Sequence, residues 1–112
     1  MTKESADYKR YGVPVMYRKQ YYVYFMTNAH NTTPYTGVTG NLQIRVHEHK
    51  SGTNPDSFTD KFNCTKLVYF ETYDYIDLAI EREKKLKRWN RAWKNALVNE
   101  GNPQWMDLSA KW

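Results

Sequence analysis

Five side chains in this 112-residue sequence have types and spacings that could do chemistry: Tyr24, Tyr35, Arg45, His49 and Glu83. A phenol can hold a water or pass on a proton. A guanidinium grips phosphate oxygens in pairs, and an imidazole exchanges protons near neutral pH. Each has a plain alternative, since strand tyrosines usually only pack and an Arg–His pair on a helix is often just solvated.

Glu83 is set apart by comparison with Glu81. The 3.6-residue period places Asp77, Lys84, Lys85 and Arg88 beside Glu81, on a solvated face. It places Ile76, Ala79, Ile80 and Leu86 beside Glu83, at the margin of an apolar stripe. Desolvating a carboxylate there costs several kcal/mol unless a cation accompanies it. Lys87 one turn on, Arg45 from elsewhere in the domain, or a divalent metal would each serve.

From Arg82 to Lys94 the chain carries Arg82, Lys84, Lys85, Lys87, Arg88, Arg91 and Lys94 against Glu83 alone, interleaved with Trp89 and Trp93. Such a stripe suits a phosphate backbone better than a lipid surface, because tryptophans four residues apart read as core anchors. The candidate nucleic-acid contacts are Lys50, Arg82, Lys84, Lys87, Arg88, Arg91 and Lys94. A zinc site is poorly supported, since His47 and His49 diverge on a helix and His30 lies in a loop. Gly37 and Gly40 are too few and misplaced for a phosphate-cradling loop.

These residues must be positioned by a small set of elements. Residues 21–27 read as a strand, with Tyr22, Tyr24 and Met26 on one face and Tyr21, Val23 and Phe25 on the other. Turn residues 28–34 lead to a short return strand at 35–38, making an antiparallel hairpin that brings Tyr24 near Tyr35. Thr39 or Asn41 can cap a helix running to Lys50, stopped by Ser51-Gly52. Arg45 and His49 share a face of that helix, about 100° from Leu42 and Val46. Residues 51–63 form an irregular connection with a helical turn at 57–61. A strand follows at 64–72, and Asp74 or Asp77 opens a long helix through Leu97 that bends near Asn90. Gly101-Asn102-Pro103 is a stop, after which the tail docks Trp105.

With +5 formal charge, anionic partners are favoured, and no apolar run approaches the roughly eighteen residues needed to span a bilayer. The lone Cys64 cannot form an internal disulfide and reads as a small buried residue, so a reducing, cytoplasmic setting is expected. Residues 1–20 have no signal-peptide core and read as an arm before one domain at 21–108, with 109–112 as a tail.

Taken together, the residues resemble the GIY-YIG nucleases, in particular their small single-domain bacterial branch. The name-giving halves read Tyr22-Val23-Tyr24 and Tyr35-Thr36-Gly37, with ten residues between Tyr24 and Tyr35. G-V-T-G-N-L-x-x-R-V-x-x-H follows from Gly37 to His49, then A-I-x-R-E from Ala79 to Glu83 and K-x-W-x-R-x-W-K from Lys87 to Lys94. Tyr22, Val23 and Thr36 depart from the name, and Val38 stands where similar repair enzymes carry lysine. The resemblance implies an α/β (α+β) fold with a small antiparallel three-stranded sheet flanked by helices. It also implies a phosphodiester-cleaving endonuclease acting on DNA in repair, recombination or processing, with one Mg²⁺ or Mn²⁺. Tyr24 and Tyr35 would be the catalytic tyrosines, Arg45 the phosphate-binding arginine, His49 the helix residue beside it and Glu83 the metal ligand. Tyr24 is the favoured base, its phenolate helped by Arg45. Branched or single-stranded DNA and RNA all remain open as substrates, as does a targeting protein partner. The competing reading is a nucleic-acid-binding module that keeps the fold without cutting.

Overall fold

The structure, a computed structural model, describes residues 19–32, 34–52 and 62–112. Three antiparallel strands make one sheet in the order β2-β1-β3, with β1 at Tyr21–Thr27, β2 at Tyr35–Thr39 and β3 at Lys66–Tyr73. Helix α1 is Leu42–Ser51, α2 is Ile76–Arg88 and α3 is Arg91–Gly101. The architecture is α+β, as the sequence predicts. The helical turn expected at 57–61 and most of the N-terminal arm lie outside the described residues.

β1 is the central strand, and its alternation divides the core into two layers. Val23 and Phe25 join Val68, Ala79, Leu86 and Val98 under α2 and α3. Tyr24 and Met26 join Leu67, Leu42, Val46 and Cys64 under α1. A strand covered on both faces needs large apolar side chains at every position, and Val23 to Met26 are all essentially inaccessible. Each such side chain contributes about 1.5–3 kcal/mol by leaving water. Cys64 belongs to this packing, and burial pushes its thiol pKa up, so the thiolate needed for reactivity is disfavoured.

The helix ends follow local chemistry. Asn41, one of the two residues expected to start α1, accepts from the Ile44 amide at 3.1 Å. Gly52 closes the helix at φ 67° with its N–H on the Glu48 carbonyl. The later helical pattern corrects the reading of one long, bending helix. Trp89 and Asn90 are extended, and Asn90 Oδ1 accepts from the Trp93 amide at 2.9 Å, so α3 starts afresh with its own cap. Neither Asp74 nor Asp77 caps α2. Tyr75 holds the N-cap position and makes no capping hydrogen bond with its side chain, and Asp77 sits in the first turn, where the helix dipole favours it. Trp93 is not the core anchor expected. It is 56% exposed and meets Trp89 edge-on, while Trp89 packs against the core.

Trp105 docks on the α2/α3 side as predicted, with its indole N–H donating to Asn99 at 2.7 Å. The tail also shields the outer edge of β3. Leu108 N–H donates to the Leu67 carbonyl at 2.7 Å, and Asp107 Oδ1 accepts from the Leu67 amide at 3.1 Å, occupying ladder groups that would otherwise face a neighbouring chain.

Candidate functional site

The hairpin register places the two tyrosines. Tyr24 lies directly opposite Gly37, and Met26 opposite Tyr35, so Tyr24 and Tyr35 are diagonal neighbours on one face with ring centroids 6.2 Å apart. Such closeness depends on Gly37. A Cβ there would stand 2.6 Å from both Cζ and Oη of Tyr24, inside any real contact. Gly37 is not at a positive φ, so it is required for the space a phenol occupies rather than for its backbone freedom. The sequence places Gly37 in the Tyr35-Thr36-Gly37 motif and rules it out of a phosphate loop, but does not by itself show this role. A glycine opposite a functional aromatic across a hairpin is the signal that could have found it.

Helix α1 brings the second pair. His49 is 6% exposed and shares the inward face with Leu42 and Val46. That differs from the expected polar patch set off from the apolar stripe, because His49 falls one further turn along that stripe. Its ring centroid lies 5.8 Å from Tyr24 and 5.5 Å from Tyr35, and its Nε2 is 2.9 Å from the Tyr24 hydroxyl. Arg45 sits half-buried at the same place. Its Nη1 donates to Glu48 Oε1 at 2.9 Å and its guanidinium is coupled to both phenols.

The electrostatics correct one expectation. Burial, then the neighbouring Tyr35, pushes the Tyr24 pKa well above the usual phenol value, and Arg45 opposes this without overcoming it. A standing phenolate is therefore disfavoured. His49 moves the other way, down to about 4, through burial and the adjacent Arg45 charge, with Glu48 resisting. At neutral pH the pair is a neutral phenol against a neutral imidazole. In the Nδ1–H tautomer, Tyr24 O–H donates to Nε2, and the phenol oxygen keeps lone pairs for another donor.

Glu83 lies on α2 and is only 8% exposed, as its place in the helical period predicts. Its Oε2 pairs with Lys87 Nζ at 2.7 Å, one of the cations anticipated for it. Arg45 is instead held by Glu48. Lys87 feels the Tyr35 phenol electrostatically, which links the Glu83 side of the site to the phenols. Among the described residues, no group of three or more His, Cys, Asp or Glu gathers as a metal cage.

The model of the GIY-YIG catalytic domain matches residues 20–96, the segment that carries every residue of this cluster. The chain belongs to the GIY-YIG family. It is 35% identical over 85 residues to a UPF0213 protein of Syntrophus aciditrophicus, covering 76% of this chain and 95% of that one. It is 37% identical over 78 residues to a UPF0213 protein of Natronomonas pharaonis, covering 70% and 89%. The solution NMR structure of a UPF0213 protein from Bacillus halodurans is similar at a TM-score of 0.50 and 25% identity, over 82% of this chain and 97% of that one.

In this GIY-YIG domain the basic residues do not form one surface. Arg82 donates to both oxygens of Glu71, at 3.0 and 2.9 Å, and lies over the Trp89 ring. Lys50 pairs with Asp107 at 2.8 Å, and Arg91 donates to the carbonyls of Asn31 and Thr32. Lys84 and Arg88 are exposed beside Lys85 on a groove that runs along Tyr73 and Leu78. Lys94 is half-buried, and burial, then Arg91 and Lys87, lowers its pKa. Periodicity could not separate these roles, because the carboxylate and carbonyl partners lie on other elements.

Proposed function

We propose that this GIY-YIG domain is a divalent-metal-dependent endonuclease that hydrolyses phosphodiester bonds of DNA, in repair, recombination or nucleic-acid processing. The observation that carries the reading is the meeting of Tyr24, Tyr35, Arg45 and His49 at one place in a chain matched by the GIY-YIG catalytic domain. The lone, buried Cys64 fits a reducing, cytoplasmic setting.

The donor set fits a hard cation. Magnesium keeps several waters and takes one or two carboxylates beside substrate oxygens, so a lone, largely buried Glu83 already matched to a cation is the kind of ligand it uses. Mg²⁺ or Mn²⁺ held by Glu83 would supply Lewis-acid stabilisation of phosphoryl charge and a more acidic water.

The remaining work falls to the protein's own groups. Arg45 binds non-bridging phosphate oxygens and stabilises the charge that gathers there. Tyr24 orients the attacking water, taking its proton at the phenol oxygen while its own proton passes to His49 Nε2. The exchange starts from the neutral forms both residues hold, and the imidazolium it forms, made acidic by burial and Arg45, gives its proton up to solvent. Tyr35, beside them, positions the phosphate or the water. The water oxygen bonds to phosphorus, the bond to the 3′ oxygen breaks, and that oxygen takes a proton from solvent water, leaving a 5′-phosphate and a 3′-hydroxyl.

The test is a panel of labelled duplex, flap, junction and single-stranded DNA, with RNA alongside, in Mg²⁺ and in Mn²⁺. Glu83→Gln and Arg45→Ala are expected to abolish cutting and Tyr24→Phe to slow it by about 10²–10⁴, all with unchanged circular dichroism, while Glu81→Ala cuts normally. Salt-sensitive binding with no cutting in any metal would instead assign a nucleic-acid-binding module.

A further inference from the structure

Lys87 is joined to the candidate metal ligand in a way that the cleavage reading leaves unexplained. Its ammonium sits 2.7 Å from Glu83 Oε2, yet its side chain is 56% exposed while that of Glu83 is 11% exposed. The anion is fixed and desolvated, whereas the cation hangs on a flexible four-carbon stem. A divalent ion bound at this carboxylate would take up the negative charge that the ammonium now neutralises, and its own charge would repel the ammonium.

The surroundings decide where a displaced ammonium can go. Lys87 is electrostatically coupled to Tyr35 and to Lys94, and Lys94 also feels Arg91. Released from Glu83, Lys87 remains in a neighbourhood of positive charge beside the phenols, and an anion is what relieves it. The anion that arrives at this place is the substrate's phosphate.

We infer that Lys87 competes with the divalent ion for Glu83 and, once displaced, pairs with a nucleic-acid phosphate, so that metal binding and substrate binding favour each other. This rests on the proposed metal dependence and makes the coupling reciprocal, because each ligand tightens the other by the same factor. Lys87 in this account acts on the metal through Glu83 and touches the substrate at a phosphate.

The experiment measures Mn²⁺ affinity by electron paramagnetic resonance, with and without a cleavage-resistant, fully phosphorothioate single-stranded oligonucleotide. For the protein alone, Lys87→Met is expected to bind Mn²⁺ about three- to tenfold tighter than wild type, the range expected for removing a competing charge near a protein surface. The exposed neighbour Lys85→Met is expected to match wild type. Oligonucleotide should tighten Mn²⁺ binding in both proteins through its own phosphate oxygens, and by about three- to tenfold more in wild type than in Lys87→Met. Should Lys87→Met bind Mn²⁺ no tighter while Glu83→Gln still abolishes binding, the competition is wrong and the metal reading stands. Should Mn²⁺ binding be the same in Glu83→Gln as in wild type, both fall together.

Discussion

The phenol of Tyr24 lies across Gly37, with Cζ and Oη each 2.6 Å from where a β-carbon would be. Gly37→Ala therefore forces either the ring or the β2 backbone to move. The ring is inaccessible to solvent and meets His49 through its hydroxyl, so the first thing lost is the 2.9 Å contact. Cleavage is expected to fall by about 10²-fold or more, as for a misplacement of roughly 1 Å at a reacting group. Stability should drop by about 1–3 kcal/mol from overpacking. Steady-state cleavage and urea unfolding of Gly37→Ala check both, and unchanged turnover would refute the assigned role of the glycine.

Much of this fold can be read from the sequence, because its signals are local. β1 declares itself through a run of tyrosines, valine and phenylalanine, and Asn41 and Gly52 bracket α1. Glu83 follows from periodicity alone. The break at Trp89–Asn90 was less legible, since basic and tryptophan residues continue the helical pattern through it and only the Asn90 cap marks a restart. The inward position of His49 also escaped, because the apolar stripe of α1 stops at Val46 by residue type while its buried face continues by geometry. The partners of Arg82 and Arg91 are non-local and leave no trace in spacing.

His49 gives the fold a pH dependence whose direction can be worked out. An unfolded histidine titrates near 6.5, whereas in the fold His49 titrates at about 4. Between these values the unfolded chain takes up a proton that the fold refuses. The contribution is fully present above about pH 6.5 and is lost as the pH falls to about 4, amounting to roughly 3 kcal/mol. Glu71 and Asp107, whose pKa values are lowered, act with the same sign further towards acid. Urea unfolding at pH 7 and pH 4.5 should therefore show a smaller loss in His49→Gln than in wild type. An equal loss would mean that His49 is not held neutral by its surroundings.

Arg82 and Lys94, both basic residues of the α2–α3 segment, should behave differently when neutralised. Glu71 accepts from the hydroxyls of Tyr69 and Tyr73 and from both ends of the Arg82 guanidinium, which also covers Trp89. This network clamps β3 to α2. Arg82→Met strands a partly buried carboxylate, and the expected cost is about 2–3 kcal/mol of stability. The salt dependence of DNA binding should hardly change, since this cation is already neutralised within the fold. Lys94 is crowded by Arg91 and Lys87 and has a lowered pKa, so an incoming phosphate stabilises its charge. Lys94→Met should leave stability nearly unchanged and reduce the slope of log affinity against log salt by about 0.7–0.9, the value of one phosphate contact. Fluorescence-anisotropy titrations at several salt concentrations, beside urea melts, separate the two. Arg82→Met lowering the slope without loss of stability would make Arg82 a DNA contact rather than a clamp.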